Sequence, residues 1–535
     1  MSAEKGADLS IPTVSCIFSA TAGIITVILR FVVHHRKGNS MTACPQLSPS
    51  LSENIKTLHT LLPLEDSFDL ISRELFLGKT RCYFLGVNGF CKTDVLQLIF
   101  ADLQNPEFTA DDHIDDILLY VRAKIGYAQV SLCNFWEAIL QNVLSGPIAL
   151  FVDGFSQAVL IDARTYPTRG IAEPDTERVT KGARDGFVET LLFNANLIRR
   201  RIRSPKLTFA IHKVGSKSHT DVAVAYLGDC VNQELLTKLS QTIESLNVTS
   251  LTMGSKSLEE LLLPRKWWHP LPGILLTERP DVACSYLAEG HILILVDNSP
   301  SVLVLPCTVF QFTQSPEDYY KSPLVGSYFR LVRFFCIPIS LLLMPLFLLI
   351  TAYYPSLAIR WNLVDLSAME AAGGLTAPRM VFYVLAVEFL LDLFRHSASL
   401  NSSRFSGSLS IVGGLLIGDI AVSLNWASTE TLFYGAITLL ATLSITNLEF
   451  SDAIRVYRVF LTLITGFWGL HGFGIGLLLI LLSAATTPTF GGLSYYWPLF
   501  PFNAAALKSL LLRKPTYKAQ PSKVWDRGHL HRRRD

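Results

Sequence analysis

Four ionisable residues lie inside or at the edges of hydrophobic stretches in the C-terminal part of this chain: Glu388, Asp392, Arg395 and Asp419. A charged side chain in the core of a lipid bilayer is energetically costly, and such residues in membrane helices mark ion pathways, proton relays or binding sites. The sequence therefore predicts a membrane protein that moves or senses something charged.

Three of these residues share one helix face. Glu388, Asp392 and Arg395 are spaced i, i+4 and i+7, and residues at this spacing lie one above another on a helix. Such a face suits a bundle interior or an aqueous path, in which carboxylates attract cations and the arginine neutralises part of their charge. The alternative is a helix at the membrane surface whose charged face is simply hydrated.

Asp419 follows Gly414 and Gly418 in an apolar run, and glycines at this spacing allow helices to pack closely. Gly418 and Asp419 also resemble half of the Gly-x-Gly-Asp motif of intramembrane aspartyl proteases. However, Leu416 stands in place of the first glycine of that motif, and Leu391 stands in place of the tyrosine of its partner motif. We therefore predict an ion pathway with no enzymatic activity, no cofactor and no metal site.

Five apolar segments would place these residues in an all-α polytopic membrane domain over residues 329–490. The segments are Phe334 to Tyr354, Met380 to Phe394, Leu409 to Leu424, Thr431 to Leu448, and Ile454 to Ala484. The second and third are short for a hydrocarbon core that needs about 20 helical residues. Tilting, local thinning of the bilayer or a re-entrant path would accommodate them.

Basic residues orient these segments, because cytoplasmic flanks carry an excess of lysine and arginine. The arginines that fall on the cytoplasmic side if the segments alternate are Arg395, Arg404, Arg455 and Arg458. A cytoplasmic basic tail then requires the last segment to return to its own side, and the glycines between Gly466 and Gly476 allow a helical hairpin. One long tilted helix with an external tail is the alternative.

The composition of the chain argues against several other classes of protein. Half of the 535 residues are hydrophobic, 17% are charged and the mean hydropathy is +0.36, which is high for a soluble chain of this length. No basic stripe with interleaved aromatic residues predicts binding to nucleic acid. The nine cysteines are scattered without metal-ligand spacing, which indicates reduced thiols rather than a zinc site or a disulfide framework.

The remainder of the chain predicts a membrane anchor and a large cytoplasmic region. An apolar stretch with a basic flank predicts an N-terminal anchor over residues 1–37, and polar residues 38–64 predict a linker. Two mixed α/β subdomains follow at residues 65–165 and 205–328, joined by a charged helical connector at residues 166–204. An aromatic interfacial segment and a basic cytoplasmic tail occupy residues 491–535.

Strand patterns support the two α/β subdomains. In the first we predict strands at Arg81 to Leu85, Ala149 to Val152 and Ala158 to Asp162. In the second we predict a hairpin that pairs His291 to Val296 with Val302 to Pro306 across a run of turn-forming residues.

The connector has the highest density of charge, and the charges alternate in sign. Its second half has helical periodicity from Phe187 to Ile198 and ends in arginines, which suit a helix C-terminus. Alternating charges are typical of a solvated ion-pair face, and they equally suit a subunit contact whose register is set by arginine and carboxylate pairs. The candidates for such a contact are Glu173, Arg178, Arg184, Asp185, Glu189 and Arg200.

Several long motifs, in the same order, carry a resemblance to a known family. They include Glu173-Pro-Asp-Thr-Glu-Arg178, Lys181-Gly-Ala-Arg-Asp-Gly-Phe-Val-Glu-Thr190, Arg199-Arg-Arg-Ile-Arg203, Thr277-Glu-Arg-Pro-Asp281, Glu289-Gly-His291 and Tyr496-Trp-Pro-Leu-Phe-Pro-Phe502. Over about residues 65–515 the chain resembles the GerA family of spore germination proteins. The stretch at residues 11–33 is atypical of that family.

The resemblance implies a protein of the inner spore membrane with a two-part cytoplasmic region and a multispan domain. It implies a homo-oligomer, as a pentamer, that forms a channel releasing monovalent cations together with other germination membrane proteins. Glu388, Asp392 and Asp419 fall where the family also has acidic residues. Two alternatives stay open: a non-conducting receptor or scaffold subunit that docks partner proteins, and a carrier for the dianion dipicolinate.

Overall fold

The computed structural model describes residues 46–77, 80–91, 93–104, 129–166, 177, 179–361, 363, 377–400, 422–423 and 428–513. An α/β region precedes a helical region in this part of the chain. The expected N-terminal anchor, the third apolar segment apart from residues 422–423, and the basic tail lie outside the described residues.

The first α/β unit is a five-stranded sheet with helices packed against it. Its elements are α1 (Leu51–Leu61), β1 (Leu70–Leu77), β2 (Thr80–Val87), α2 (Thr93–Gln104), β3 (Gln129–Cys133), α3 (Trp136–Val143), β4 (Ile148–Val152) and β5 (Ala158–Asp162). The predicted strands are present, and every residue of β4 is buried, as its uninterrupted apolar sequence requires.

Helix α1 lies within residues 38–64, for which the sequence predicts a linker, and this prediction is wrong for residues 51–61. Leu51, Asn54 and Leu58 recur at helical spacing and are buried, and both leucines join the core of the first unit. The remaining positions are mostly polar, so the apolar stripe is narrow and the segment resembles a linker in sequence. The structure makes it an integral helix of the first unit.

The second α/β unit begins within the predicted connector. Its elements are α4 (Leu191–Arg201), β6 (Leu207–Val214), β7 (Thr220–Leu227), α5 (Gln233–Glu244), α6 (Ser255–Leu262), β8 (Leu275–Thr277), α7 (Pro280–Ala288), β9 (Ile292–Val296) and β10 (Val302–Leu305). The predicted hairpin is formed by β9 and β10, and three of the four late arginines of the connector occupy the last turn of α4.

The two units have the same topology. The first sheet has the order β1-β2-β4-β5-β3 and the second has the order β6-β7-β9-β10-β8, and all paired strands are antiparallel. In each unit a helix precedes the first strand and a second helix lies between the third and fourth strands in chain order. The α/β region is therefore an internal structural repeat.

Matching hydrogen bonds reinforce the repeat. Asp153, directly after β4, accepts a bond from the amide of Leu51 at 3.0 Å, and Asp297, directly after β9, accepts one from the amide of Leu191 at 3.2 Å. Each aspartate thus satisfies a free amide at the start of the helix that opens its unit.

A buried asparagine in each opening helix makes a second matching pair of bonds. Asn54 accepts from the amide of Ser48 and donates to its carbonyl, at 3.0 and 2.6 Å. Asn194 makes the same two bonds to Val188 at 2.8 and 2.5 Å. Both asparagines hold the chain that enters the helix, six residues upstream.

The two units are joined through a fully buried ion pair. Arg199 of α4 lies 2.7 Å from the carboxylate of Asp69, which precedes β1, and both side chains are inaccessible to solvent. Arg199 also donates to the carbonyls of Ser204 and Leu207 at 3.0 and 2.8 Å. Asp69 accepts a further bond from Ser67 at 2.6 Å. The charges are therefore compensated and hydrogen-bonded, which burial requires.

Arg279, from the Thr277-Glu-Arg-Pro-Asp281 motif, holds the connector against the second unit. Its buried guanidinium pairs with Asp281 at 2.9 Å and donates to the connector carbonyls of Glu177 and Ala183 at 3.0 and 2.8 Å. The carboxylate of Glu177 accepts bonds from the hydroxyl of Thr277 and from the next amide. This part of the connector is consequently folded onto β8 rather than extended into solvent.

The helical region follows a short helix, α8 (Glu317–Tyr320). Its elements are α9 (Pro323–Tyr353), α10 (Pro355–Arg360), α11 (Ala377–Leu400), α12 (Thr429–Leu443), α13 (Leu448–Ala485) and α14 (Ala504–Leu511). Among the described residues, α9 and α13 are long and apolar enough to cross a membrane. Helix α11 is longer than the predicted second segment and, at 24 residues, reaches about 36 Å.

Helix α13 is a hairpin of two antiparallel arms, which confirms the favoured prediction for the last apolar segment. The arms meet at Gly469, whose φ of 58° and ψ of −133° are not helical. Tyr457 and Ser483, one on each arm, are joined by a hydrogen bond of 2.6 Å. A Cβ on Gly472 would lie 2.2 Å from the carbonyl oxygen of Ile464, so the arms approach too closely for a side chain there.

Both ends of the hairpin dock on the second α/β unit. Lys256 of α6 pairs with Glu449, at the start of the first arm, at 2.8 Å. His269 bonds to the carbonyl of Ser483, at the end of the second arm, at 2.9 Å. The hairpin therefore leaves and returns on the side of the α/β region.

We expect the Asp69–Arg199 pair to be essential to the joint between the units. Asp69→Ala leaves a buried guanidinium without its counter-ion, which destabilises a protein by about 3–5 kcal/mol. Thermal unfolding of the purified full chain in detergent would measure this. Glu74→Ala removes an exposed ion pair with Arg81 (3.2 Å) and should change stability by less than about 1 kcal/mol. Equal effects of the two substitutions would contradict the assignment.

The Glu177 contact should weaken as the pH rises. Burial raises the pKa of Glu177 to about 7. Because the folded pKa exceeds the unfolded one, the contribution of this group to stability is complete in acid and is lost as the pH rises through about 7. Burial also raises the pKa of Glu289 to about 7, so the contribution of Glu289 to stability likewise decreases as the pH rises.

Glu177→Gln isolates the first group, because the amide oxygen can accept the same two bonds. We expect the melting temperature of the parent protein to fall more steeply between pH 5.5 and 8 than that of the variant. If the melting temperatures of the two proteins fall equally with pH, Glu177 does not contribute the predicted pH dependence of stability.

Candidate functional site

Three ion pairs connect α11 to the first arm of the α13 hairpin. Glu388 lies 3.3 Å from Arg458, Asp392 lies 2.9 Å from Arg455, and Arg395 lies 3.4 Å from Asp452. The positions ascend on α11 while they descend on α13, so the helices run antiparallel along this contact. We call these six residues the ion-pair ladder.

Helical spacing on both partners produces the ladder. The α11 residues are four and three positions apart, and the α13 residues are three apart, so each set lies on one face. The three acids and three bases balance, which leaves the ladder without net charge when all six are ionised. It can therefore hold two helices together in an apolar setting without a large uncompensated charge.

Burial increases along the ladder with distance from the α/β region. The side chain of Asp452, near the start of the first arm, is 59% exposed, whereas those of Arg458 and Glu388 are 5% and 3% exposed. Six residues of helix separate Asp452 from Arg458, or about 9 Å along the axis. The ladder thus has a solvent-accessible end at Asp452 and a buried end at Glu388 and Arg458.

Arg458 joins two further helices to the buried end of the ladder. Its guanidinium donates to the carbonyl of Ser340 on α9 at 3.1 Å and to the hydroxyl of Thr442 on α12 at 3.2 Å. The hydroxyls of Ser340 and Thr442 bond to each other at 2.7 Å. Four helices therefore converge on one arginine and its carboxylate partner Glu388.

The buried end still has unused hydrogen-bonding capacity. One oxygen of Glu388 contacts Arg458 and lies 3.5 Å from the hydroxyl of Thr462, but the other has no hydrogen-bond partner among the described residues. The buried hydroxyl of Thr465, one helical turn beyond Thr462, also lacks one within the described ranges. An unpaired carboxylate oxygen can accept a bond from a water molecule or coordinate a cation.

The sequence by itself indicates half of the ladder. Glu388, Asp392 and Arg395 share a face as expected, whereas the sequence marks Arg455 and Arg458 only as flanks on the cytoplasmic side and assigns no role to Asp452. A signal was available, because Asp452, Arg455 and Arg458 recur at i, i+3 and i+6 where an apolar segment begins. Asp419, Gly414 and Gly418 lie outside the described residues.

Three of the six connector residues predicted to form a subunit contact are exposed to solvent. Arg184, Glu189 and Arg200 are exposed, with Arg200 lying 4.6 Å from the ring centroid of Tyr166. Asp185 is partly buried and pairs within the chain with Arg201 at 2.7 Å. Glu173 and Arg178 belong to the part of the connector that the structure does not describe.

The sequence of this chain is similar to those of known proteins. The family model described as Bacillus/Clostridium GerA spore germination protein matches residues 57–523. The chain is 32% identical to stage V sporulation protein AF of Bacillus subtilis (strain 168), over 87% of this chain and 93% of that protein. It is 28% identical to spore germination protein KA of the same organism, over 88% of this chain and 85% of that protein.

Among solved structures, the crystal structure of the N-terminal domain of the A subunit of the Bacillus megaterium spore germinant receptor GerK3 matches with 23% identity and a TM-score of 0.39. The match covers 49% of this chain and 96% of that domain. The extent of the family match and the identity to the sporulation protein together establish what the sequence motifs predicted: the chain belongs to the GerA family of spore germination proteins.

Proposed function

We propose that this protein is a membrane subunit of a spore germination complex, and that copies of it assemble into a channel for monovalent cations. The hairpin and α9 span the inner spore membrane, and the duplicated α/β region lies in the cytoplasm. Two observations support the membrane placement: the length and apolarity of these helices, and the return of the hairpin to the side of the α/β region.

The observation that carries the channel proposal is the buried carboxylate of Glu388. It lies among four apolar helices with one oxygen unpaired in the described part of the chain. Ionisable groups at such positions are energetically costly and are retained where ions pass or where charge controls a gate. The ladder connects it to the accessible side of the helices, and two further carboxylates, Asp392 and Asp452, lie along that side.

Oligomer formation is supported by the exposed part of the connector. Arg184, Glu189 and Arg200 present both signs of charge to solvent. Complementary charges of this kind set orientation and register between subunits. We propose that they contact the neighbouring copy around the channel axis.

A second function is favoured by one observation. All six ladder charges are paired within a single chain, so the ladder could serve only to hold the helices together. The protein would then be a non-conducting receptor or scaffold subunit that docks other germination proteins. The two functions differ in what happens when the Glu388 charge is removed without change of shape.

Glu388→Gln is the decisive substitution for conduction. We expect potassium release from germinating spores, followed with an ion-selective electrode, to slow by about tenfold, which corresponds to about 1.4 kcal/mol of barrier. Glu449→Gln is the matched control, because Glu449 lies at the start of the facing helix α13, in a half-exposed pair outside the ladder. Spores with this variant should release potassium at the parent rate. Parent-like release from Glu388→Gln at equal protein abundance would instead support the scaffold function.

Reversal of a connector charge should disrupt assembly. We expect Arg184→Glu to reduce the mass of the detergent-solubilised particle, measured by light scattering, because like charges would then meet at the subunit contact. Lys213→Glu makes the same reversal on an exposed residue of β6 and should leave the mass unchanged. A parent protein that is itself monomeric would refute the proposed oligomer.

A further inference from the structure

Two adjacent tryptophans of the α/β region are exposed to solvent in the described part of the chain. Trp267 is 92% exposed and Trp268 is 59% exposed, and they lie in the loop between α6 and β8. Large aromatic side chains are energetically costly to leave in water, and exposed clusters of them mark surfaces that bind something apolar. We call residues 264–272 the tryptophan loop.

The tryptophan loop is held in a defined position. Arg265 pairs with the buried Glu259 of α6 and donates to the carbonyl of Leu271 at 2.6 Å, which closes the loop on itself. The amide of His269 bonds to the carbonyl of Lys266 at 3.0 Å, which makes a turn around the two tryptophans. The exposed rings are therefore presented by an ordered loop rather than by a loose segment.

The loop lies at the end of the membrane hairpin. The ring of His269 bonds to the carbonyl of Ser483, two residues before the hairpin ends at Ala485, or about 3 Å along its axis. If the hairpin spans the membrane as proposed, this is the level at which its apolar surface gives way to water. Tryptophan is enriched at that level in membrane proteins, where its apolar ring and polar N–H both find suitable surroundings.

Neighbouring groups have the same interfacial character. The exposed ammonium of Lys266 lies 5.1 Å from the ring centroid of Trp268, where it could meet lipid phosphates. Tyr496, which follows the hairpin, donates its hydroxyl to the carbonyl of Leu481 on the same arm at 3.0 Å. Phe500 and Phe502 farther along that segment are 74% and 70% exposed.

We propose that the tryptophan loop inserts Trp267 and Trp268 into the lipid headgroup region of the membrane that holds the hairpin. The loop would thereby fix the second α/β unit against the bilayer surface at a second place, beside the hairpin ends. The inference rests on the proposed membrane placement of the hairpin, but not on ion conduction.

The test uses the full chain reconstituted into phosphatidylcholine and phosphatidylglycerol vesicles, with and without lipids brominated close to the headgroup. Bromine quenches only those tryptophans that contact lipid. The measured quantity is tryptophan fluorescence. The loop signal is the fluorescence of the parent protein minus that of Trp267→Phe/Trp268→Phe, a double variant that leaves the core unchanged. Trp468→Phe gives the signal of a residue at the hairpin bend, which reports whether the hairpin is in the membrane.

We expect brominated lipid to reduce the loop signal about twofold and to quench Trp468 as well. Quenching of Trp468 with an unchanged loop signal would overturn the tryptophan loop while leaving the proposed function intact. If neither signal is quenched, the membrane placement itself is wrong and both proposals fail. A loop signal shielded from brominated lipid and from aqueous acrylamide alike would assign the tryptophans to a contact between subunits, which also overturns the inference.

Discussion

The buried ion pair between Asp69 and Arg199 is the constraint on which the arrangement of the α/β region depends. Neither charge can reach water, so each requires the other, and the surrounding bonds hold both side chains in place. Ser67 continues the link, because its hydroxyl donates to Asp69 and accepts from the amide of Phe209 at 3.0 Å. The second unit in turn holds both ends of the α13 hairpin, so this pair also links the first unit to the helical region.

The ion-pair ladder applies the same physical rule in the helical region. Charges between apolar helices are tolerated because each has a partner at the matching turn of the facing helix, and Arg458 extends the match to four helices. The pairing fixes the register of α11 against α13, since a slide of one residue would bring apolar side chains opposite charges. A change of that register would break all three pairs together, so the ladder opposes a gradual slide of α11 along α13.

Duplication explains why the α/β region has two sheets of one topology but different surroundings. The aspartates after β4 and β9 and the asparagines of the opening helices perform the same local tasks in both copies. Only the second copy carries Arg279, the His269 contact and the Lys256 pair, through which it binds the connector and the hairpin. The first copy contacts the connector at a different place, where Arg203 donates to the hydroxyl of Ser145 at 3.2 Å.

The sequence by itself determined the elements and their types. Uninterrupted apolar runs predicted β4 and β9, alternating charge with helical period predicted α4, and glycines between Gly466 and Gly476 predicted the hairpin, because these signals are local. It also determined which acids share a face on α11. Only the tertiary structure decided their partners, the duplication and the place of α1, since an ion pair such as Glu388 with Arg458 joins residues seventy positions apart. Burial of a charge is a property of the packed molecule, and no local pattern specifies which distant side chain will compensate it.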